Sequence, residues 1–196
     1  MSFRIRDVLL SSLGLLVLAP IGLLIALGLW LSQGKVFFFQ ARAGLHEKVF
    51  TLIKFSTMRD AAPGEDEAAR QRERITPFGA VLRRYSLDEL PQLLHVLRGE
   101  MSLVGPRPLL VDYLALYTTE EKKRHQVKPG ITGWAQIHGR NALSFKQRFA
   151  YDLWYVEHRS FWLDAKILCR TVAKVFRSEG VYADELSTSP RYDGKN

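Results

Sequence analysis

The sequence contains a single cysteine and a single long hydrophobic run. Cys169 has no partner within the chain, which excludes an intrachain disulfide and favours a reducing compartment. The 5 histidines do not show the spacing of a zinc site. After the first 35 residues, no segment is long and apolar enough to span a bilayer. These absences argue against a secreted disulfide scaffold, a zinc protein and a protein with several membrane helices.

Positive charge is in excess. Lys and Arg number 28 against 20 Asp and Glu, so the 196-residue chain carries a net charge of +8. That balance suits nucleic acid, anionic lipid or phosphorylated substrates. No zinc finger, recognition helix or RNA-binding signature accompanies it, so we expect no nucleic-acid partner. The length fits one compact domain, residues 36–196, after a membrane segment, residues 1–35.

The membrane segment has features of two topologies. The 24 residues from Val8 to Leu31 are uncharged, and as a helix they would extend about 36 Å, enough for a hydrocarbon core of about 30 Å. The run is longer than that of a secretory signal and lacks a clear cleavage site. Pro20, after Ala19, predicts a bend near the middle. Basic residues flank both ends, so the residues alone leave a re-entrant and a spanning helix open.

The remaining sequence predicts an α+β, mainly helical fold with a small β-hairpin and amphipathic interfacial helices. The hairpin is expected from β-prone runs at 36–40 and 49–55. Helices are expected at Leu109–Arg124 and, with a junction near Ser160, across Ser144–Gly180. The last helix has a basic face, which suits either an anionic membrane surface or ordinary solvation.

Two adjacent carboxylates, Asp88 and Glu89, precede an arginine held between two prolines. Ser86 and Glu89 have the spacing of a capping box, so an acidic first turn of a helix explains the pair without any active site. Pro91 conflicts with a helix that begins at Ser86. Either the helix bends at Pro91 or it begins later in the chain.

Three segments resemble one family when taken together. They are SLDELPQL at 86–93, GEMSLVGPRP at 99–108 and KPGITGWAQIHGRN at 128–141. They are similar to segments of the bacterial sugar transferases called monotopic phosphoglycosyl transferases, and the chain resembles the small, bacillosamine-type form. The resemblance covers nearly the whole chain. It implies a re-entrant helix broken at Ala19 and Pro20, with both ends and the catalytic domain on the cytoplasmic face of the inner membrane.

The resemblance also implies a reaction. The family transfers a sugar phosphate from a UDP-sugar to polyprenol (undecaprenyl) phosphate, requires Mg²⁺ and releases UMP. By resemblance Asp88 is the nucleophile that forms an aspartyl-phosphosugar, and Glu89 helps to hold the metal or to orient the pair. Divalent cations and arginine donors neutralise the charge that would otherwise keep a carboxylate away from a diphosphate. An N-acetylated amino sugar is the expected donor sugar.

Other residues are assigned by the same resemblance. Arg107 is expected to contact phosphate, although a surface turn arginine is the alternative. Asp152 is a further candidate for a metal or arginine network, or else for a helix-surface ion pair. His95 stands where relatives often have asparagine, and we interpret it as structural. The other expected phosphate- or nucleotide-binding residues are Lys54, Gly139, Arg140 and Asn141.

Two functions of other classes compete with the enzyme. A noncatalytic membrane scaffold would use the basic helix and the aromatic residues, and a nucleic-acid-binding module would use the positive charge. Substituting Asp88 separates the enzyme from the scaffold, because a scaffold does not need this carboxylate. The partners expected for the enzyme are a UDP-sugar, polyprenol phosphate and membrane lipid.

Overall fold

The computed structural model describes residues 3–61, 73–139, 142–177 and 192–194. This part of the chain is mainly helical and contains two small sheets. Its α-helices are α1 (Phe3–Gln33), α2 (Pro77–Arg84), α3 (Leu93–Arg98), α4 (Thr119–Lys122), α5 (Trp134–His138), α6 (Phe145–His158) and α7 (Phe161–Arg177). Its strands are β1 (Phe37–Ala43), β2 (Val49–Phe55), β3 (Ser102–Val104) and β4 (Gly130–Thr132).

Helix α1 is the long apolar element. Within the described ranges it alone is long and apolar enough to cross a membrane. It continues as helix through Ala19 and Pro20. Its middle is open to the surroundings, because Leu16 is 75% exposed and Leu23 is 72% exposed. Whether both ends lie on one side of a membrane stays a prediction.

The first turns of α1 are attached to the rest of the molecule by a buried polar network. The guanidinium of Arg6 binds Asp7 at 2.9 Å and Asp164 of α7 at 2.7 Å. The hydroxyl of Ser102 in β3 donates to Asp7 at 2.6 Å, and that of Tyr155 in α6 donates to Asp164 at 2.7 Å. All five side chains are buried, so the network joins four elements in the interior.

The last turns of α1 pack on the same body through apolar contacts. Ile25 and Leu29 form a buried cluster with Phe55 of β2 and Leu82 of α2. The side-chain amide of Gln33 donates to the Ser56 carbonyl at 2.7 Å. Both ends of α1 are therefore attached to one folded unit.

The predicted hairpin is confirmed. Strands β1 and β2 are antiparallel, with Phe38 opposite Lys54 and Phe37 opposite Phe55. A short 3₁₀ turn at Leu45–Glu47 connects them. Alternate residues of β2 face the main hydrophobic core, which includes Leu52. Lys54 lies two residues further along the same face.

The second sheet was not predicted. Strands β3 and β4 are three residues each and pair in parallel. Gly105 follows β3, and Gly130 is the first residue of β4. The two backbones approach so closely that a Cβ on Gly130 would lie 2.1 Å from the Gly105 nitrogen. Only glycine allows this approach. This close contact between Gly105 and Gly130 fixes the position of the chain immediately before Pro106 and Arg107.

Two local predictions were wrong. Ser86 adopts a left-handed conformation (φ 54°) and its side chain caps no helix, so the capping box with Glu89 does not form. The α-helix begins at Leu93, after a 3₁₀ turn at Leu87–Gln92 that accommodates Pro91, and this confirms the alternative that the helix begins later in the chain. The continuous helix expected at Leu109–Arg124 is replaced by short segments: a 3₁₀ turn at Val111–Ala115, α4, and a 3₁₀ turn at Lys123–Gln126.

The two helices predicted with a junction near Ser160 are confirmed as α6 and α7. Ile167 of α7 is fully buried in the main core, while Lys166 and Arg170 on the same helix are exposed. Helix α7 is thus amphipathic as expected. Its contact with a membrane surface stays a prediction.

Candidate active site

The acidic pair lies on the 3₁₀ turn Leu87–Gln92, between α2 and α3. The apolar residues Leu87 and Leu90 flank the pair and pack on the cluster that contains the end of α1. Because this turn is anchored on both sides, the carboxylates have defined positions. The side chains of Asp88 and Glu89 are 12% and 13% exposed, so both are largely withdrawn from water.

Two of the predicted residues, Lys54 and Arg107, converge on Glu89 and Asp88. Lys54 Nζ lies 2.7 Å from Glu89 Oε1 and 3.9 Å from Asp88 Oδ2. Arg107 Nη2 donates to the same Glu89 oxygen at 2.8 Å. The Arg107 side chain is 43% exposed, so it also faces the outside of the site. The structure therefore brings together a strand lysine, the acidic turn and the arginine between prolines.

The two carboxylates have different electrostatic environments. Burial raises the pKa of Asp88 above its ordinary value, the charge of Glu89 adds to this, and Lys54 opposes it. Burial also acts to raise the pKa of Glu89, but Arg107 and Lys54 outweigh it and hold that pKa far below its usual range. Glu89 is thus fixed as an anion, whereas Asp88 is the more basic carboxylate.

The turn that carries Arg107 is fixed by its carbonyl groups. The Pro106 carbonyl accepts from the Gly130 N–H at 3.0 Å. The Arg107 carbonyl accepts from Arg124 at 2.8 Å, and the Pro108 carbonyl accepts from Arg42 at 3.2 Å. Prolines restrict the backbone on both sides of Arg107. Three donors from three other segments thus complete the positioning of its guanidinium.

Sequence reasoning assigned no role to Arg42, Arg83 or Arg124. Burial and, after it, the positive charge of Arg107 lower the pKa of Arg42 to about 10. Arg83 donates to Thr57 Oγ1 at 2.8 Å, and its charge lowers the pKa of Asp88. The sequence shows that Lys54 alternates with the core residues of β2. It does not show the register of the hairpin, which brings Arg42 near this site.

Asp152 belongs to the arginine network rather than to the acidic pair. Its carboxylate accepts two hydrogen bonds from Arg124, at 2.7 and 3.1 Å, and both side chains are buried. Asp152 therefore acts on Arg107 through Arg124.

Gly139 follows the short helix α5. The predicted nucleotide-binding residues Arg140 and Asn141 lie outside the described residues.

The structural interpretation of His95 agrees with its contacts. Its Nε2 accepts from the Ile53 N–H at 3.0 Å, which requires an unprotonated Nε2, and its Nδ1 donates to Glu100 at 2.6 Å. His95 thereby ties α3 to β2 next to Lys54. Burial and the charge of Arg124 lower the pKa of His125 to about 4, so His125 is neutral near pH 7.

The acidic pair has the donor chemistry of a magnesium site. Among the described residues no group of three or more His, Cys, Asp or Glu side chains forms a metal cage. Mg²⁺ is commonly held by one or two carboxylates together with substrate phosphates, so Asp88 and Glu89 suffice. Lys54 and Arg107 both bind Oε1 of Glu89. The residues present therefore fit the expected ion.

Comparison with known proteins gives one consistent result. A family model described as bacterial sugar transferase matches residues 1–178. A sugar transferase of Bacillus subtilis, EpsL, is 55% identical over 81% of this chain and 79% of its own length. The exopolysaccharide production protein ExoY of Rhizobium meliloti is 40% identical over 93% of this chain and 88% of its own length.

A longer relative carries an explicit activity in its name. The UDP-glucose:undecaprenyl-phosphate glucose-1-phosphate transferase of Xanthomonas campestris pv. campestris is 41% identical over 91% of this chain. The match covers 39% of that protein's length, so the Xanthomonas protein contains much more than the part similar to this chain.

Proposed function

This chain belongs to the bacterial sugar transferase family, a family of phosphoglycosyl transferases, and from this premise we propose that it transfers a sugar 1-phosphate from a UDP-sugar to undecaprenyl phosphate. The observation that carries the proposal is the asymmetric acidic pair: a buried Asp88 of raised pKa beside a Glu89 held ionised by Lys54 and Arg107. One carboxylate is suited to attack and the other to hold charge.

The reaction is proposed in two displacements. A carboxylate oxygen of Asp88 attacks the phosphorus that bears the sugar. The bond between this phosphorus and the oxygen bridging to the UMP phosphate breaks, and UMP leaves with that oxygen. An oxygen of the acceptor's phosphate then attacks the same phosphorus, which regenerates the Asp88 carboxylate and yields a polyprenol diphosphate sugar. Covalent capture separates departure of the soluble product from arrival of the lipid.

The cations around the pair have distinct tasks. Arg107 presents a planar donor fork to phosphate oxygens from a turn that is fixed at all three carbonyls. Lys54 lowers the pKa of Asp88 and so opposes the effect of its burial. Mg²⁺, when bound by Asp88 and Glu89, would neutralise charge on the donor diphosphate. In this proposal residues 36–196 form the catalytic domain.

The proposed location is the cytoplasmic face of the inner membrane, with α1 as a re-entrant anchor. The attachment of both ends of α1 to one folded unit supports this topology, since a straight spanning helix would place its ends on opposite sides. The accessible middle of α1, with its exposed leucines, is the part expected to enter the lipid.

The test is UMP release from a panel of UDP-sugars, with undecaprenyl phosphate, Mg²⁺ and the full chain in lipid. The relatives' names support UDP-glucose as a donor, while an N-acetylated amino sugar remains the prediction from the resemblance. Both belong in the panel. Asp88→Asn should abolish turnover while membrane association persists. A noncatalytic scaffold would release no UMP from any UDP-sugar in the panel. Its membrane association would be unchanged by Asp88→Asn.

A further inference from the structure

We propose that an aromatic edge, formed by Phe37, Phe38 and Phe39 of β1 and Phe78 of α2, is inserted in the lipid bilayer beside α1. This surface would place the acidic pair at the lipid boundary. The inference goes beyond the anchor helix, because it assigns a second lipid contact to the catalytic domain. It rests on the proposed membrane association but not on the proposed reaction.

The first observation is a failure of alternation in β1. Successive residues of a strand point to opposite faces, so a strand with one buried face alternates between apolar and polar residues. Phe37, Phe38 and Phe39 are consecutive, and they are 41%, 42% and 58% exposed. Large aromatic side chains are thus accessible on both faces of the strand. Apolar surroundings on both faces account for this pattern, whereas water does not.

The second observation is continuity with α1. The helix ends at Gln33, and β1 begins at Phe37. The ring of Phe37 stacks on Phe55 at 5.6 Å, and Phe55 is buried against the last turns of α1. The outward side chains of these turns, Trp30 and Leu31, are 61% and 70% exposed. The apolar surface of the anchor therefore passes onto the hairpin over a few residues.

Helix α2 extends the same surface. Its Phe78 ring packs directly on Gly28 of α1, with ring atoms 3.1 and 3.3 Å from the position of a Cβ there. Phe78 remains 36% exposed, and Val81 one turn later is 46% exposed. Leu82 faces inward and is buried with Leu29. Helix α2 thus lies against the anchor with apolar residues still accessible.

The position of this edge has a consequence for the active site. Phe38 and Lys54 are directly opposite each other on β1 and β2, so their side chains share one face with Cβ atoms about 4.5–5.5 Å apart. Lys54 in turn contacts Glu89 at 2.7 Å. If Phe38 is in lipid, the carboxylates lie one side chain from the boundary. A phosphate headgroup on a lipid-embedded chain would arrive there without leaving the membrane.

A second copy of this chain is the other occupant that would cover the edge. Lipid is favoured because the edge adjoins the exposed leucines of α1. A protein partner would have to pack beside a helix whose middle is itself expected in lipid. The two occupants give different results in the experiment below.

The experiment uses the full chain with Cys169→Ser and one new cysteine, carrying an environment-sensitive nitrobenzoxadiazole label. The labelled sites are Phe38→Cys, Phe39→Cys and Phe78→Cys, in phosphatidylcholine–phosphatidylglycerol vesicles with or without brominated acyl chains. Thr51→Cys is the matched control, because Thr51 is exposed near the opposite end of the same hairpin. We expect a blue-shifted emission and several-fold stronger quenching by brominated lipid at the three edge sites than at Thr51.

Equal emission and quenching at the edge sites and at Thr51 would overturn the inference. A blue shift that grows with protein density, without quenching by brominated lipid, would assign the edge to a second copy and would overturn it as well. For the unaltered chain, a lipid-soluble photoactivated diazirine should modify residues 37–39 several-fold more than residues 49–51. These readouts need no donor sugar. A negative result here would therefore overturn the lipid contact of the aromatic edge without affecting the proposed reaction, which the UMP assay tests.

Discussion

At the scale of single residues, the central feature is the separation of two adjacent carboxylates into different roles. Glu89 shares one oxygen between Lys54 and Arg107, so it is held as an anion. Asp88 is buried, its Oδ2 lies 3.9 Å from Lys54 Nζ, and burial raises its pKa. A more basic carboxylate is a better nucleophile, provided that it is still ionised at the working pH. Lys54 lowers the pKa of Asp88 and thus favours its ionised form.

Lys54→Gln is predicted to move the acidic limb of the pH–rate profile to higher pH. Lys54 lowers the pKa of Asp88, so its removal raises that pKa further. An attacking carboxylate must be ionised, and activity is therefore lost at a higher pH as the pH falls. The measurement is kcat/KM for UMP release between about pH 5 and 9. Lys48→Gln, on the exposed turn of the hairpin, should leave the limb in place. A limb that is unmoved in Lys54→Gln contradicts the assignment of Asp88.

Asp152→Asn is predicted to destabilise the fold by about 3–5 kcal/mol, because it leaves the buried charge of Arg124 without its partner. Thermal or denaturant unfolding in detergent measures this change. Glu120→Gln is the matched control: its ion pair with Lys123 is also 2.7 Å long but is exposed, so the loss should stay below about 1 kcal/mol. Similar losses in the two variants would contradict the role given to the buried pair.

The residue types of the site could be predicted, but their arrangement could not. Asp88, Glu89, Lys54 and Arg107 were identified from resemblance to a family, and the structure brings all four together. Arg42 and Arg124 were missed because each acts through main-chain carbonyls of a distant turn. Such bonds depend on the register of the hairpin and on the packing of α6, and no local pattern encodes either.

At the scale of elements, a sequence pattern predicted the right helix or strand where the residues that it marks as apolar are buried in the core. The hairpin forms where two β-prone runs predict it, and α6 and α7 form where their helical periodicity predicts them. The pattern at Ser86 misled, because Glu89 is drawn to Lys54 and Arg107 and cannot also cap a helix. Leu109–Arg124 breaks into short turns around buried Tyr113 and Tyr117, whose cluster with Phe145 and Phe149 depends on distant contacts.

Arg6→Met is predicted to loosen α1 from β3 and α7, at a cost of about 3–5 kcal/mol. Arg6 is the cation of a buried network, and without it the carboxylates of Asp7 and Asp164 lose their neutralising partner. Unfolding in detergent measures the loss, and faster hydrogen exchange is expected in β3. The matched change Lys35→Met removes an exposed ion pair near the other end of α1 and should cost below about 1 kcal/mol. Equal costs would show that the network does not anchor the helix.

At the scale of the whole molecule, helix α1 and the rest of the described chain form one folded unit. The first turns of α1 are attached through ion pairs and the last turns through apolar packing. The aromatic edge would add a second contact with lipid next to the acidic pair. The net charge of +8 is consistent with phosphorylated substrates and an anionic membrane surface.

Both ends of α1 are predicted to face the cytoplasm. The chain with Cys169→Ser and a single new cysteine, at Ser2 or at Lys35, is treated with a membrane-impermeant maleimide. Inverted inner-membrane vesicles should be labelled at both sites, and intact spheroplasts at neither. Labelling of the Ser2→Cys protein in spheroplasts and not in inverted vesicles would establish a spanning helix instead.

The most direct test of the central claim is mass spectrometry of the full chain, rapidly quenched after mixing with Mg²⁺ and an accepted UDP-sugar in the absence of polyprenol phosphate. The account predicts one sugar-phosphate adduct on the peptide that contains Asp88, formed together with a single burst of UMP and absent from Asp88→Asn. UMP release that occurs only after polyprenol phosphate is added, with no adduct on the protein, would contradict it.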